Sequence, residues 1–226
     1  MSNATHPYWA PLKQAFEKSA DPEVAHGAAA YMKHQSQFYG IKAPDRRLML
    51  ASFIKSHGLP ESDNLIPIIH DAWIQPQREF QYAAMELLFR VRKKLPEEVI
   101  QLFEWMVINK SWWDTVDYIA PKLIGEHFKM FPQLRDNYIT KWMNSSNFWL
   151  HRTCLLFQLK YKSRTDKYLL FNLATQLASE KEFFIRKAIG WALREYAKTN
   201  PQEVKSFVEH TPLSGLSRRE AMKHLL

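Results

Sequence analysis

The string FFIRKAI at residues 183–189 points to a repeat architecture, because related strings recur along the chain. Each string mixes apolar, basic and small residues at the start of a helical pattern. The related strings are REFQYAA (78–84), WLHRTCL (149–155) and LSRREAM (216–222), and a helix beginning near Trp112 falls on the same spacing. A period of about 35 residues, with two helices per unit, is typical of a helical solenoid. The sequence therefore predicts an all-α, right-handed solenoid of helix pairs.

Helical patterns continue through the whole chain, which has only six Gly in 226 residues. Proline marks several helix starts, as in Asp21-Pro22, Phe131-Pro132 and Asn200-Pro201, because it fits the first turn of a helix. We expect one domain of HEAT-like repeats over 1–226, with a flexible N-terminus at 1–7. Helices are predicted over 8–19, 22–35, 44–57, 63–74, 77–94, 97–109, 112–130, 133–144, 148–162, 166–178, 182–198, 201–209 and 215–225.

Composition and charge narrow the class of partner. The formal net charge of +8 and the pI near 9.5 favour a polyanion, with nucleic acid ahead of an anionic membrane, since bound phosphates release counterions. The single cysteine, Cys154, excludes an intrachain disulfide and a thiolate metal cage, and indicates a reduced, cytoplasmic location. The N-terminus has no apolar signal region, and no apolar run is long enough to span a membrane. We expect a soluble protein that is not exported.

The segment SWWDTVD at 111–117 combines two tryptophans with two acids. Trp113 and Asp117 are one helical turn apart, so their side chains lie within about 40° of each other around the helix. An apolar stripe that includes Trp112 and Val116 is centred about 100° away, and we expect it to face the core. An aromatic plane and an acid turned off the core can meet a cationic ligand.

The repeat spacing predicts that the starts of the second helices line one concave surface. Most of the side chains expected on this surface are cationic, and one is an acid. The surface would be a basic groove, suited to a phosphate backbone. The residues that we expect on it are Trp113, Asp117, Arg152, Arg186, Lys187 and Arg218.

The same segments carry a family resemblance. SWWDTVD at 111–117, the helix of Arg152, FFIRKAIGWALR at 183–194, and YMK at 31–33 followed by FYGI at 38–41 resemble the AlkD-type alkylpurine DNA glycosylases. The resemblance extends from about residue 8 to about residue 225 and implies a HEAT-like solenoid that holds duplex DNA in its groove. It places Asp117 as the catalytic aspartate, and it implies site roles for Trp113, Trp191 and Arg152. Tyr31 resembles a tyrosine near the DNA, although FYG replaces the more usual FLG nearby.

The implied reaction is hydrolysis of the N-glycosidic bond of cationic purines, of the 3-methyladenine or 7-methylguanine type, in base excision repair. An alkylated purine already carries a positive charge, so its departure needs no general acid. Asp117 would stabilise the oxocarbenium ion that develops on the sugar, and Arg152 would bind a phosphate next to the lesion. The enzyme would be monofunctional and monomeric, would need no cofactor and no metal, and would associate with the nucleoid when bound to DNA.

Ordinary structural interpretations stay open for several residues. Trp191 alone is typical of a core residue, and Arg152 can be a charged head on a packed stem. Phe183 and Phe184 are expected in the core, with a place at the rim of the groove as the alternative for one of them, and Cys154 is expected in the core.

A second class of function also stays open, namely a noncatalytic HEAT-like module that binds nucleic acid or a protein. The joint presence of an acid, two tryptophans and an arginine favours the enzyme, because a module that only binds DNA has no need for an acid in its basic groove.

Overall fold

The structure is a computed structural model that describes residues 5–225, apart from the side chain of Ser62. Within them the chain is helical, and β pairing is limited to an isolated bridge between Gln37 and Gln77. The all-α prediction is therefore confirmed. None of the described helices is long and apolar enough to cross a lipid bilayer. The chain divides into two compact units, one up to Val91 and one from Arg92 onward. The single repeat domain, the solenoid and the groove that the sequence suggests stay predictions.

The first unit is built around aromatic side chains. Trp9, Phe16, Trp73 and Phe80 are fully buried, and the indole N–H of Trp9 donates to the Ile68 carbonyl at 2.8 Å. Of the segment expected to be flexible, residues 1–4 lie outside the described residues, while Pro7 begins a 3₁₀ turn. The helices of this unit are α1 (Ala10–Lys18), α2 (Pro22–Tyr31), α3 (Ala43–His57), α4 (Ser62–Ile74) and α5 (Arg78–Val91).

Helix α2 is shorter than the predicted 22–35, because Lys33 and His34 both adopt left-handed backbone angles, with φ of 55° and 57°. The His34 N–H returns to the Ala29 carbonyl at 2.7 Å, which ends the helix. Gly40 is also left-handed, with φ of 87°, and a Cβ there would lie 2.1 Å from the Asp21 carbonyl oxygen. The FYG junction therefore requires its glycine.

The second unit contains the residues of the expected site, apart from Tyr31. One long helical stretch changes type inside it, passing from α7 (Trp113–Ile119) through a π-helical segment (Ala120–Ile124) to α8 (Gly125–Met130). Its other helices are α6 (Ile100–Ile108), α9 (Pro132–Met143), α10 (Phe148–Leu156), α11 (Lys167–Gln176), α12 (Phe183–Ala197), α13 (Pro201–His210) and α14 (Gly215–Met222). Helix α10 ends six residues before the predicted 162, in a series of turns.

Helix α12 is central to this unit and packs against α10, α11, α13 and α14. Helices α12 and α14 approach each other closely at Gly190. A Cβ at that position would lie 2.4 Å from the Glu220 Cβ and 2.7 Å from the Ser217 carbonyl oxygen. Separations this short leave no room for a methyl group, so glycine is needed where the two helices cross.

We expect Gly190→Ala to lower the free energy of unfolding by about 1–3 kcal/mol, because α14 must shift to accept the methyl group. Gly27→Ala is the matched control. Gly27 also lies inside a helix, but its Cβ would meet no atom within 4 Å, so the better helix propensity of alanine should raise stability by about 0.5–1 kcal/mol. Urea denaturation of both variants measures the difference, and equal effects would contradict the close approach.

Candidate functional site

The centre of the site is an ion pair between Asp117 of α7 and Arg152 of α10. The Arg152 Nε donates to Asp117 Oδ1 at 2.7 Å, and Nη2 donates to Oδ2 at 2.9 Å. Nη1 donates to the backbone carbonyl of Phe184. The side chains are only 17% exposed for Asp117 and 5% for Arg152. This is a bidentate pair, which restrains the plane of the carboxylate as well as its position.

The local sequence explains why Asp117 sits at a change in the helix. Helix α7 begins after Trp112, which is extended with φ of −153°, so Asp117 lies just over one turn inside. Pro121 has no N–H to donate to the carbonyl four residues earlier, which is that of Asp117. The chain widens into the π-helical segment there. Such insertions occur often at functional sites, and this one directly follows the carboxylate.

The environment of Asp117 alters its acidity. Burial raises the pKa of Asp117 above its ordinary value of 3.8, and the charge of Asp114 adds to the rise, while the hydrogen bonds and charge of Arg152 oppose it. The direction that results is upward, since loss of hydration disfavours the charged form. The pKa of Asp117 is therefore higher than that of an aspartate on the surface.

An aromatic cluster lies beside Arg152. The Trp112 ring lies 5.2 Å from Phe184 and 5.9 Å from Trp149, and Trp149 lies 5.0 Å from Phe184, between ring centroids. The guanidinium carbon of Arg152 is 5.9 Å from the Phe184 centroid. Sequence reasoning did not foresee the part that Phe184 and Trp149 play here. The position of Trp149, one turn before Arg152 on α10, was the available signal.

The two tryptophans expected at the site are both half-buried. Trp113 lies one turn before Asp117 on α7. Trp191 lies seven residues after Phe184 on α12, which is two turns along and about 20° around the helix, so both side chains share one face. Trp191 is thus only partly buried, and its site role stays a prediction. The core expectation for Phe183 is wrong, since it is 53% exposed at the start of α12.

The cations expected to bind DNA differ in their surroundings. Lys187 pairs with Glu220 at 2.8 Å, and the Arg186 Nε donates to the Ser214 hydroxyl at 3.3 Å. Arg218 is exposed. Arg152 gives all three guanidinium nitrogens to protein acceptors, so the carboxylate of Asp117 takes the place expected of a phosphate. That difference arises because the bidentate geometry of arginine suits both anions.

Two further residues from the sequence analysis, Tyr31 and Cys154, are not part of the Asp117–Arg152 pair. Tyr31 is the last residue of α2, in the first unit, and is 71% exposed. Cys154 is buried in the core as expected, and burial raises the pKa of its thiol. Within residues 5–225 no group of three or more His, Cys, Asp or Glu side chains is arranged to hold a metal ion.

Comparison with known proteins gives a consistent result. The family of DNA alkylation repair enzymes matches residues 12–225. A structure from Enterococcus faecalis, described as a predicted DNA alkylation repair enzyme, is 35% identical, with a TM-score of 0.84 over 91% of this chain and 96% of that one. No curated protein matches the chain.

Two Streptococcus mutans structures share the fold at lower identity. The protein smu.31 of strain UA159 is 18% identical, with a TM-score of 0.61 over 80% of this chain and 92% of its own. AlkD2 is 17% identical, with a TM-score of 0.62 over 81% of this chain and 90% of its own. The resemblance noted in the sequence is thus confirmed at the level of the family. On the match over 12–225 and the 35% identity to the Enterococcus protein, the chain belongs to the DNA alkylation repair enzyme family.

Proposed function

We propose that this protein is a monofunctional DNA glycosylase that releases cationic alkylated purines, of the 3-methyladenine or 7-methylguanine type, from duplex DNA. The observation that carries the proposal is the Asp117–Arg152 pair, in which two hydrogen bonds hold a scarcely exposed carboxylate in one orientation. Membership of the alkylation repair family supports the substrate class. The reaction would be the first step of base excision repair and would take place on the nucleoid, with the protein as a monomer.

The chemistry needs only one carboxylate. An alkylated purine leaves as a neutral base, so no general acid has to protonate it. Positive charge then develops on the sugar, and a carboxylate that is already oriented stabilises it without reorganisation. Asp117 can also orient the attacking water, which would complete the hydrolysis. A normal purine lacks the charge that makes it a good leaving group, which accounts for selectivity.

The half-buried tryptophans fit the same substrate. Trp113 and Trp191 each present an aromatic face that attracts a cationic base or sugar, worth about 0.5–2 kcal/mol depending on desolvation. Both lie on helices that also contribute to the Asp117–Arg152 pair, since Trp113 is on α7 and Trp191 shares α12 with the Phe184 carbonyl. The aromatic faces and the charged group are therefore supplied by the same elements.

Contacts to phosphate would come from the other cations. Arg218 is exposed and Lys187 is partly exposed, and we include Arg186 and Tyr31 in the DNA-binding surface. The net charge of +8 would make binding fall steeply with salt, because each neutralised phosphate contributes about 0.9 to the slope. Arg152 we assign to positioning Asp117.

We expect Asp117→Asn to lower single-turnover excision of 7-methylguanine by about 100-fold or more while affinity for duplex DNA holds or rises, because it removes charge but keeps size. Asp136→Asn is the matched control, since Asp136 also pairs with an arginine, Arg135, but is 77% exposed. Unchanged excision by Asp117→Asn would remove Asp117 from the chemistry. A wild-type protein that binds methylated duplex and releases no base would favour the noncatalytic module.

The raised pKa of Asp117 gives a prediction for pH. Excision requires the ionised carboxylate, so the rate should rise with pH through a single ionisation that lies above 3.8 and then level off. Single-turnover rates across the acid range, corrected for depurination without enzyme, measure the midpoint. The residual activity of Asp117→Asn should show no such ionisation. A midpoint at or below the ordinary aspartate value would contradict the desolvated site.

Removing Arg152 separates the two roles considered for it. We expect Arg152→Ala to lower the free energy of unfolding by about 3–5 kcal/mol, since it leaves the Asp117 charge buried and unpaired, and to cost less in an Asp117→Asn background. Arg135→Ala, which breaks a more exposed pair, should cost about 1 kcal/mol or less. The salt slope of duplex binding should be unchanged in Arg152→Ala, whereas a fall of about one unit would show a phosphate contact instead.

A further inference from the structure

The end of the chain interacts with the helix that carries Trp191. Helix α14 packs on α12 at Gly190, which has no side chain. The lack of a side chain at residue 190 lets Glu220 approach α12 closely. The Ser217 hydroxyl donates to the Arg186 carbonyl at 2.9 Å. Residues 186 and 190 of α12 are therefore both held by α14.

Glu220 binds two cations of α12 at once. Its Oε1 accepts from Lys187 Nζ at 2.8 Å, and its Oε2 accepts from Arg194 Nη1 at 2.6 Å. The same Arg194 nitrogen donates to the Glu220 carbonyl at 3.2 Å. One carboxylate thus spans nearly two turns of the helix, from residue 187 to residue 194.

Trp191 lies between these two cations in the sequence of α12. Lys187 precedes it by four residues and Arg194 follows by three, and both spacings place side chains on one side of a helix. Counted from Gly190, Lys187 and Arg194 lie about 40–60° around the helix, and Trp191 lies about 100° around. The face that bears Trp191 therefore borders the two ion pairs directly.

The carboxylate of Glu220 is held in its charged form. Hydrogen bonds from Lys187 and Arg194 lower the pKa of Glu220, and its side chain is only 20% exposed. A charged glutamate in this position lowers the net positive charge of the surface by one and pairs with two of its cations, which makes the surface less favourable for a polyanion. An acid beside cations that bind DNA weakens their attraction for phosphate. A structural role for Glu220 would account for its presence there.

We propose that Glu220 is a positioning residue for excision, which binds Lys187 and Arg194 so as to fix the α12 face that carries Trp191, and which thereby reduces affinity for DNA. The inference rests on the proposed glycosylase function. Helix α12 also supplies the Phe184 carbonyl that accepts from Arg152, so its placement affects the Asp117–Arg152 pair as well. The pairing orients the aromatic face, and it weakens the contacts that Lys187 and Arg194 can make with phosphates.

The test is Glu220→Gln, which keeps the shape of the side chain and removes its charge. We expect single-turnover excision of 7-methylguanine at saturating protein to fall about 5–20-fold, because Trp191 is less well placed. Binding to an undamaged duplex should tighten about 3–10-fold, and its salt slope should grow by about one to two units, because Lys187 and Arg194 become available to phosphates. Loss of folded protein would weaken apparent binding to the duplex, which is the opposite of the expected tightening, and would leave the salt slope unchanged.

Two further variants sharpen the test. Lys187→Gln in the Glu220→Gln background should cancel about one unit of the gained slope. Glu203→Gln is the matched control, because Glu203 also binds two partners, Lys167 and Tyr196, at 2.6 and 2.7 Å, and neither partner belongs to α14. It should change neither excision nor the salt slope.

The proposal requires slower excision and tighter binding together in Glu220→Gln, and the absence of either change overturns it. Equal changes in Glu203→Gln overturn it too. Failure of the proposed function would appear separately, as full excision by Asp117→Asn or as no excision by the wild type, since affinity for undamaged duplex is measured without the reaction.

Discussion

The Asp117–Arg152 pair is the interaction on which the rest of the second unit depends. Burying a carboxylate and a guanidinium costs several kcal/mol each, and their attraction offsets this only when the geometry is good and the remaining donors are satisfied. Here the third guanidinium nitrogen is satisfied by the Phe184 carbonyl of α12. Three helices, α7, α10 and α12, must therefore hold their relative positions for one pair to be stable.

The aromatic cluster follows from the same constraint. Trp149 and Phe184 lie on α10 and α12, and Trp112 directly precedes α7, so the three rings that contact one another come from the elements that share the Asp117–Arg152 pair. Burial raises the pKa of Asp117 and pairing with Arg152 opposes that rise, so the arginine offsets part of the cost of burying the acid. Beyond the cluster, Glu220 ties the far part of α12 to α14 by the same kind of charged contact.

Helix content and the Trp113/Asp117 spacing could be predicted from the sequence, because both depend on residues that lie within about two helical turns of each other. The early end of α2 could not, since Lys33 and His34 take backbone angles that favour glycine. Pro121 marked the position of the π-helical segment but not its type. The partner of Arg152 could not be derived either, because Asp117 is 35 residues away and a phosphate would satisfy the same donors. Glu220 was missed for the same reason of distance in sequence.

The bidentate pair also has a consequence for how such a protein can change over evolutionary time. We expect residues 117 and 152 to change together, because losing either one leaves the other as a buried, unpaired group. Without the acid, the Arg152 side chain, which is only 5% exposed, keeps its charge, whereas Asp117 without the arginine can take up a proton. A descendant that keeps this scaffold without the proposed activity is therefore expected to have replaced both residues rather than residue 117 alone.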